Sequence, residues 1–181
     1  MKIYIFILIL FVFACSNPKE SPKVEVSVPA PQKAVASSNV QTLFRSIMGN
    51  GEGLLRGVKF GDSIEEVKKV ETSDLFEEED SHVGYSFDTE NLETVDILYQ
   101  RNSQNRVTGI ELDIYMNTDE TNDGLKQELI QLFNVRYGKP VSENPLLVWK
   151  IKPNGQVSMK VIKNKLDRGL EVKFSQQPPA M

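Results

Sequence analysis

Alternation of apolar and polar residues in the centre and the second half of the chain most constrains the fold. In the segment RVTGIELDIYMN every second residue is apolar, namely Ile110, Leu112, Ile114 and Met116. Successive side chains of a β-strand point to opposite faces, so this period predicts a strand with one buried face. The same reasoning predicts five further strands, in GYSFD, TVDILYQ, LLVWKIK, QVSMKVIK and GLEVKFS. The pair Asn154-Gly155, which lies between two of them, is typical of a tight hairpin turn.

A long helix is predicted in the segment TNDGLKQELIQLFNVRYGKP, which follows the central strand. Its apolar residues recur at intervals of three and four, the period of a helix with one buried face. Thr121 or Asn122 is the predicted N-cap. Gly138 is the predicted end, because glycine accepts the left-handed conformation in which many helices terminate.

Two shorter helices are predicted nearer the N-terminus. In FGDSIEEVKKVE, Asp62 or Ser63 is the predicted cap, and Ile64 and Val67 face the core. The other helix is predicted over 40–48, where the apolar residues share a face.

The predicted fold class is α+β, with an antiparallel sheet and helices on one of its faces. The order helix, three strands, helix, three strands further suggests that the domain consists of duplicated helix-plus-three-strand units. The single predicted domain covers residues 40–176, a common size for one domain with its own core.

The N-terminus has the pattern of a secretory signal peptide over residues 1–14. Lys2 supplies a positive charge, and the apolar run Ile3–Ala14 follows it. That run is too short to span a bilayer, which takes about 20 apolar residues, but it suits the apolar region of a signal peptide. Ala14 is the small residue expected before the cleavage site.

Cys15 is the only cysteine of the chain, and it directly follows this run. The segment Val12-Phe13-Ala14-Cys15 resembles the lipobox of bacterial lipoproteins, although Phe13 stands where that family usually has a small or aliphatic residue. The resemblance implies cleavage between Ala14 and Cys15 and lipid attachment to the Cys15 sulfur. Ser16, in place of aspartate, favours the outer membrane by the same resemblance. The alternative is a plain secretory signal with an incidental cysteine.

Residues 15–39 are predicted to form a flexible tether after the lipidated cysteine. Four prolines and few large apolar residues lie in this segment, so it cannot nucleate a core. The alternative for part of this segment is an edge strand, because Val24, Val26 and Val28 alternate with polar residues. Residues 177–181 are predicted to be a disordered tail.

Charge is unevenly distributed along the sequence. Residues 62–128 contain 19 acidic and 5 basic residues, whereas residues 129–181 contain 3 acidic and 9 basic residues. This asymmetry indicates either an acidic and a basic patch that attract a partner, or two parts of one sheet that neutralise each other. Nucleic acid is not an expected partner of an exported protein with a pI near 5.2.

Two groups of charged residues are candidates for binding a partner. Four consecutive acids precede the only histidine, His82, and we interpret them as a flexible acidic loop because consecutive carboxylates do not converge on a metal ion. The second group alternates with core residues of the last strands, and is expected on their solvent face. The candidates are Glu77, Glu78, Glu79, Asp80, Lys150, Lys152, Lys160 and Lys173.

No pattern in the sequence identifies a catalytic, metal or cofactor site. A catalytic triad needs a general base, and the one histidine of the sequence is a poor candidate because it lies in the acidic segment. No serine lies in a G-x-S-x-G motif, the turn that carries the nucleophile in many hydrolases. A hydrolytic alternative would use strand carboxylates such as Glu111 and Asp113. We therefore expect no cofactor and no enzymatic activity.

The segment GVKFGDSIEEV, residues 57–67, resembles the helix start of small SmpA-type envelope lipoproteins, which assist outer-membrane protein assembly. This chain departs from that family by carrying a second helix and three more strands. The expected function is a non-enzymatic binding or assembly module of the cell envelope, with an envelope protein as its partner. The alternative is a periplasmic inhibitor or immunity-type lipoprotein that blocks a cationic hydrolase with the acidic loop.

Overall fold

The computed structural model describes residues 33–165 and 167–176, with the side chains of residues 33–38 left out. Three helices and eight strands occur in this part of the chain. In chain order they are α1 (Lys33–Met48), α2 (Ile64–Val70), β1 (Asp74–Glu79), β2 (His82–Asp88), β3 (Thr94–Arg101), β4 (Val107–Tyr115), α3 (Asp119–Tyr137), β5 (Val141–Glu143), β6 (Leu146–Ile151), β7 (Gly155–Lys163) and β8 (Arg168–Gln176).

The strands form one antiparallel sheet in the order β1-β2-β3-β4-β8-β7-β6-β5. Its centre is the pairing of β4 with β8, where Leu112 lies opposite Val172. The helices pack on one face of the sheet. The predicted α+β class and the antiparallel sheet with helices on one face are confirmed.

The core lies between this face of the sheet and the helices. Phe133 of α3 is fully buried, and its ring lies 5.2 Å from the ring of Trp149 and 5.8 Å from that of Phe174. The same α3 face contributes Leu125 and Leu129, both fully buried, as the helical period predicted.

Local chemistry explains where two of the helices begin and end. Ser63 caps α2 in a capping box, in which its side chain accepts from the Glu66 N–H and the Glu66 side chain accepts from the Ser63 N–H. The predicted cap of α3 is wrong, because the side chain of Thr118 accepts from the Thr121 N–H one turn earlier. Gly138 ends α3 with a φ of 88°, a conformation that favours glycine.

Helix α1 begins at Lys33, seven residues before the predicted start, so residues 33–39 of the predicted tether lie in this helix. Its residues Leu43 and Ile47 are buried in the core. The predicted signal peptide, Cys15, the first part of the tether and the tail 177–181 lie outside the described residues.

Two strands were missed in the sequence, and both lie at the edges of the sheet. β1 contains the acids Glu77 to Glu79, and β5 has only three residues, all exposed. At the predicted hairpin, Gly155 is not in the turn but opens β7, where it pairs with Ile151, and residues 152–154 form the connection.

The prediction of three strands in each helix-plus-strand unit is therefore wrong. Each part of the chain has a helix followed by four strands, α2 with β1–β4 and α3 with β5–β8. The two sets of strands are arranged in mirrored order on either side of the central pairing. Duplication itself stays a prediction.

Within residues 33–165 and 167–176, no helix has both the length and the apolar character needed to cross a membrane.

Candidate functional site

The face of the sheet opposite the helices carries polar side chains, and we call it the open face. Along β4 the buried residues Ile110, Leu112 and Ile114 alternate with the partly exposed Glu111 and Asp113. This alternation places the two carboxylates on the open face. The residues of β3, β7 and β8 that lie beside them in the register belong to the same face.

Three carboxylates on the open face converge at the centre of the sheet. Glu111, Asp113 and Glu171 each offer an oxygen atom, and these atoms lie within 4.8 Å of one another. The register creates this carboxylate cluster, since Asp113 of β4 lies directly opposite Glu171 of β8 and, on its other side, Asp96 of β3. Asp96 accepts a 2.6 Å hydrogen bond from the hydroxyl of Ser86.

Lys173 supplies positive charge to the carboxylate cluster. Its Nζ lies 2.8 Å from Oε1 of Glu111 and 3.3 Å from Oε1 of Glu171. The hydrogen bond to Glu111 raises the pKa of Lys173. Burial raises the pKa of the Asp113 carboxyl, and the charges of Glu111 and Glu171 raise it further. One ammonium group thus faces several carboxylates, which leaves the cluster with an excess of negative charge.

The carboxylate cluster is the one place in the described residues where acidic side chains converge closely enough to hold a metal ion. Hard cations such as Ca²⁺ prefer oxygen ligands of this kind. A bound ion would have to compete with Lys173, whose ammonium already contacts two of the three carboxylates. The cluster is also where Glu111 and Asp113, the residues of the hydrolytic alternative, come together.

A shallow groove of about 310 Å³ lies beside the cluster between β4 and β8. Gly109 is one of its lining residues, and a Cβ atom there would approach the carbonyl oxygen of Phe174 to 3.1 Å. Its exposed lining is mostly apolar, and the polar residues Gln100, Glu111, Lys173 and Ser175 also contribute to it. The groove therefore offers an apolar surface beside the charges of Glu111 and Lys173.

Three of the four predicted lysines lie on the open face. Lys173 lies on β8, Lys160 lies opposite Glu171, and Lys150 donates to Oε1 of Gln156 at 3.3 Å. Lys152 is exposed in the connection between β6 and β7. The open face is consequently acidic over β3 and β4 and basic over β7 and β6.

The predicted flexible acidic loop is wrong, because Glu77, Glu78 and Glu79 belong to β1 and Asp80 lies in the turn to β2. Glu78 contacts Lys68 at 2.8 Å, and this hydrogen bond lowers the pKa of Glu78. Glu77 contacts Nε2 of His82 at 3.2 Å.

This acidic hairpin is fixed to the domain from several sides. Arg101 donates to the backbone oxygens of Glu79, at 2.6 Å, and of Asp80, at 3.2 Å. β1 is also separated from the strands of the predicted lysines by at least three other strands. The two predicted groups of binding residues therefore do not form one site, and the hydrolase-blocking alternative stays a prediction.

A buried polar network escaped the sequence reasoning entirely. Arg56 donates to Oε2 of Glu71 at 2.5 Å and to Oγ of Ser73 at 2.7 Å, and the hydroxyl of Tyr99 donates to Oε1 of Glu71. The Glu71 side chain is fully buried. Burial, together with the Glu71 charge, raises the pKa of Tyr99, so Tyr99 remains a hydrogen-bond donor. Arg56 lies 15 positions from Glu71, and Tyr99 lies 28 positions from it, so no local sequence pattern connects these residues.

We compared the chain with protein-family models, curated proteins and solved structures, and none of the three comparisons gave a significant match.

Proposed function

We propose that this chain is a lipid-anchored protein of the bacterial outer membrane, whose domain binds another envelope protein through its open face without catalysing a reaction. The anchor in this proposal is Cys15, and the binding surface is the carboxylate cluster with its adjoining groove and lysines. The SmpA-type resemblance of residues 57–67 agrees with an assembly role.

The observation that carries the binding proposal is the fixed order of charges on the open face. Glu111, Glu171 and Lys173 are held on two central strands that pair along seven positions. Side chains that are already ordered lose little conformational entropy on binding. An acidic region beside a basic one specifies the orientation of a partner with the opposite arrangement.

The groove beside Gly109 adds a feature that a flat solvated sheet would lack. Its exposed lining is mostly apolar and is bordered by the charges of Glu111 and Lys173, and protein interfaces commonly have an apolar centre with a polar rim. A partner side chain that enters the groove would contact Glu111 and Lys173 together.

The anchor is tested by membrane fractionation of cells that express the full chain, the Cys15→Ser variant or the Ser16→Asp variant. We expect the wild type in the outer membrane and Cys15→Ser in the soluble fraction, because the variant lacks the sulfur that carries the acyl chains. Ser16→Asp serves as the matched control, since the lipoprotein resemblance implies that it stays lipidated and moves to the inner membrane. Identical fractionation of wild type and Cys15→Ser would show that Cys15 does not anchor the chain.

A further inference from the structure

A second candidate site lies between α1 and the connection from β2 to β3. It is a cleft of about 430 Å³, within the size range of small-molecule sites. Three carboxylate residues, Asp88, Glu90 and Glu93, line it together with the apolar side chains of Leu43 and Phe87. It shares no residue with the carboxylate cluster of the open face.

Glu93 is the unusual member of this cleft, because it is a carboxylic acid that is only 3% exposed. Its Oε2 accepts a 3.2 Å hydrogen bond from Oγ1 of Thr89, and within the described residues no hydrogen bond reaches Oε1. Burial raises the pKa of Glu93, and the Thr89 hydrogen bond opposes this effect only in part. A buried carboxyl group in such surroundings is stabilised by a cation that enters beside it.

Within the part of the chain that the structure describes, no lysine, arginine or histidine acts on Glu93. The described residues that line the cleft include no lysine, arginine or histidine. The guanidinium of Arg56 contacts the outer side of two lining residues: it donates to the carbonyl of Ser46 at 2.9 Å and lies 5.0 Å from the centre of the Phe87 ring. It is engaged with Glu71. Among the described residues Glu93 therefore has no cationic partner, and a positively charged ligand would supply one.

The arrangement of the three carboxylates favours an organic cation over a metal ion. Among the described residues, only Glu111, Asp113 and Glu171 bring acidic oxygen atoms close enough together for one ion, so Asp88, Glu90 and Glu93 do not. Leu43 and Phe87 instead offer apolar walls on which methylene groups can pack. A chain of methylenes that ends in an ammonium group matches both features.

The connection that holds Glu93 is ordered by hydrogen bonds of its own. The Thr89 N–H donates to the Glu93 carbonyl at 2.8 Å, and the Glu93 N–H donates to Oγ1 of Thr89 at 3.2 Å. The side-chain amide of Asn117 also donates to the carbonyl oxygen of Asn91. A preorganised site of this kind loses little entropy on binding.

We propose that the cleft between α1 and the β2–β3 connection binds an alkylammonium group, with the Glu93 carboxylate as its counter-ion. The group can come from a small free diamine or from a lysine side chain of another protein. The site is independent of the open face and of the function proposed for it.

The test is a titration of the isotope-labelled full chain, followed by amide NMR shifts and by calorimetry. The probes are cadaverine, the uncharged isostere 1,5-pentanediol, and a lysine blocked at both its amino and carboxyl termini. We expect cadaverine to shift the amides of residues 39–46 and 88–93, and pentanediol to leave them unchanged. Tighter binding of cadaverine than of blocked lysine identifies a free diamine as the ligand, and the reverse order identifies a protein side chain.

Three variants make the outcome decisive. We expect Glu93→Gln to weaken cadaverine binding at least tenfold, the exposed Glu90→Gln about threefold, and the control Glu143→Gln, on β5, not at all. Glu90→Gln keeps the test valid if Glu93→Gln fails to fold. Equal shifts with cadaverine and pentanediol, absence of any shift in the cleft, or unchanged binding by both cleft variants would overturn the proposal.

Discussion

At the scale of single residues, the network of Arg56, Glu71 and Tyr99 joins parts of the chain that are distant in sequence. Glu71 is the C-cap of α2, Tyr99 lies on β3, and Arg56 also donates to the carbonyl of Ser46 near the end of α1. Each polar atom of the Glu71 side chain is thereby satisfied in a buried position. The network stabilises the position of α1 and α2 relative to the sheet.

Replacing Arg56 by methionine should lower the free energy of unfolding by about 3–5 kcal/mol, because a buried carboxylate then loses its counter-ion. Urea unfolding measures this loss. The double variant Arg56→Met/Glu71→Leu should recover much of it, since neither charge remains buried. The matched control Arg45→Met, at an exposed position of α1, should change stability by less than about 0.5 kcal/mol. An Arg56→Met variant as stable as the wild type would show that the network is not stabilising.

Asp113 should make the free energy of unfolding depend on pH, and the surroundings of its carboxyl group determine the sign of this dependence. Burial and nearby carboxylates raise its pKa in the folded protein, so the folded state favours the protonated form. The stability that the protonated Asp113 contributes is fully present below the ordinary pKa of an aspartate. It is lost as the pH rises through the raised pKa of the folded protein.

Asp113→Asn should therefore gain stability relative to the wild type as the pH increases from about 3.5 to 7. Urea unfolding at several pH values measures the difference, with the exposed Asp74→Asn as the control. A difference between Asp113→Asn and wild type that stays constant over this range would contradict the interpretation of the carboxylate cluster.

At the scale of elements, α3 is attached to the sheet through Phe133 and its aromatic neighbours. Phe133→Ala should lower the free energy of unfolding by about 3–5 kcal/mol, because it leaves a cavity between Trp149 and Phe174. Val135 lies on the same helix and is 81% exposed, so Val135→Ala should change stability by less than about 0.5 kcal/mol. Guanidinium unfolding compares the two. Similar losses for both variants would show that α3 is not held by this aromatic contact.

The elements that sequence patterns predicted are those with one buried face. Strand β4 and helix α3 each bury a regular set of residues, so their periods are visible in the sequence. β1 has five exposed residues out of six, and its consecutive acidic residues show no alternation of apolar and polar side chains. Edge strands that are mostly solvated lack the burial that produces a pattern, and β5 is too short to show one.

The candidate sites could be predicted only in part for a related reason. Lys150, Lys160 and Lys173 were found because they alternate with core residues of their own strands. The carboxylate cluster depends instead on the register of β4 and β8, which brings together residues up to 60 positions apart. The cleft at Glu93 depends on the packing of α1 against a turn, and no local pattern encodes that contact.

At the scale of the whole molecule, the uneven charge of the sequence is partly neutralised inside the domain. The acidic and the basic parts of the chain meet at the centre of the sheet, where Glu111 pairs with Lys173. Asp119 at the start of α3 contacts Lys163 at 2.8 Å and Arg168 at 2.5 Å. The contacts within the domain agree with the second interpretation of the charge asymmetry, and attraction of a partner stays a prediction. Some charges hold the two parts of the sheet together, and the remainder give the open face its acidic and basic regions.

The open face is the surface through which we propose that the anchored domain binds its partner, and photocross-linking in living cells tests this claim most directly. A photoreactive residue is placed in the full chain either at Ser158, on the open face, or at Gln127, on the exposed side of α3. We predict that Ser158 captures one exported envelope protein, that Gln127 does not, and that Lys173→Glu abolishes the Ser158 adduct. Capture of the same protein from both positions, no adduct at Ser158, or an adduct that persists in Lys173→Glu would contradict the account.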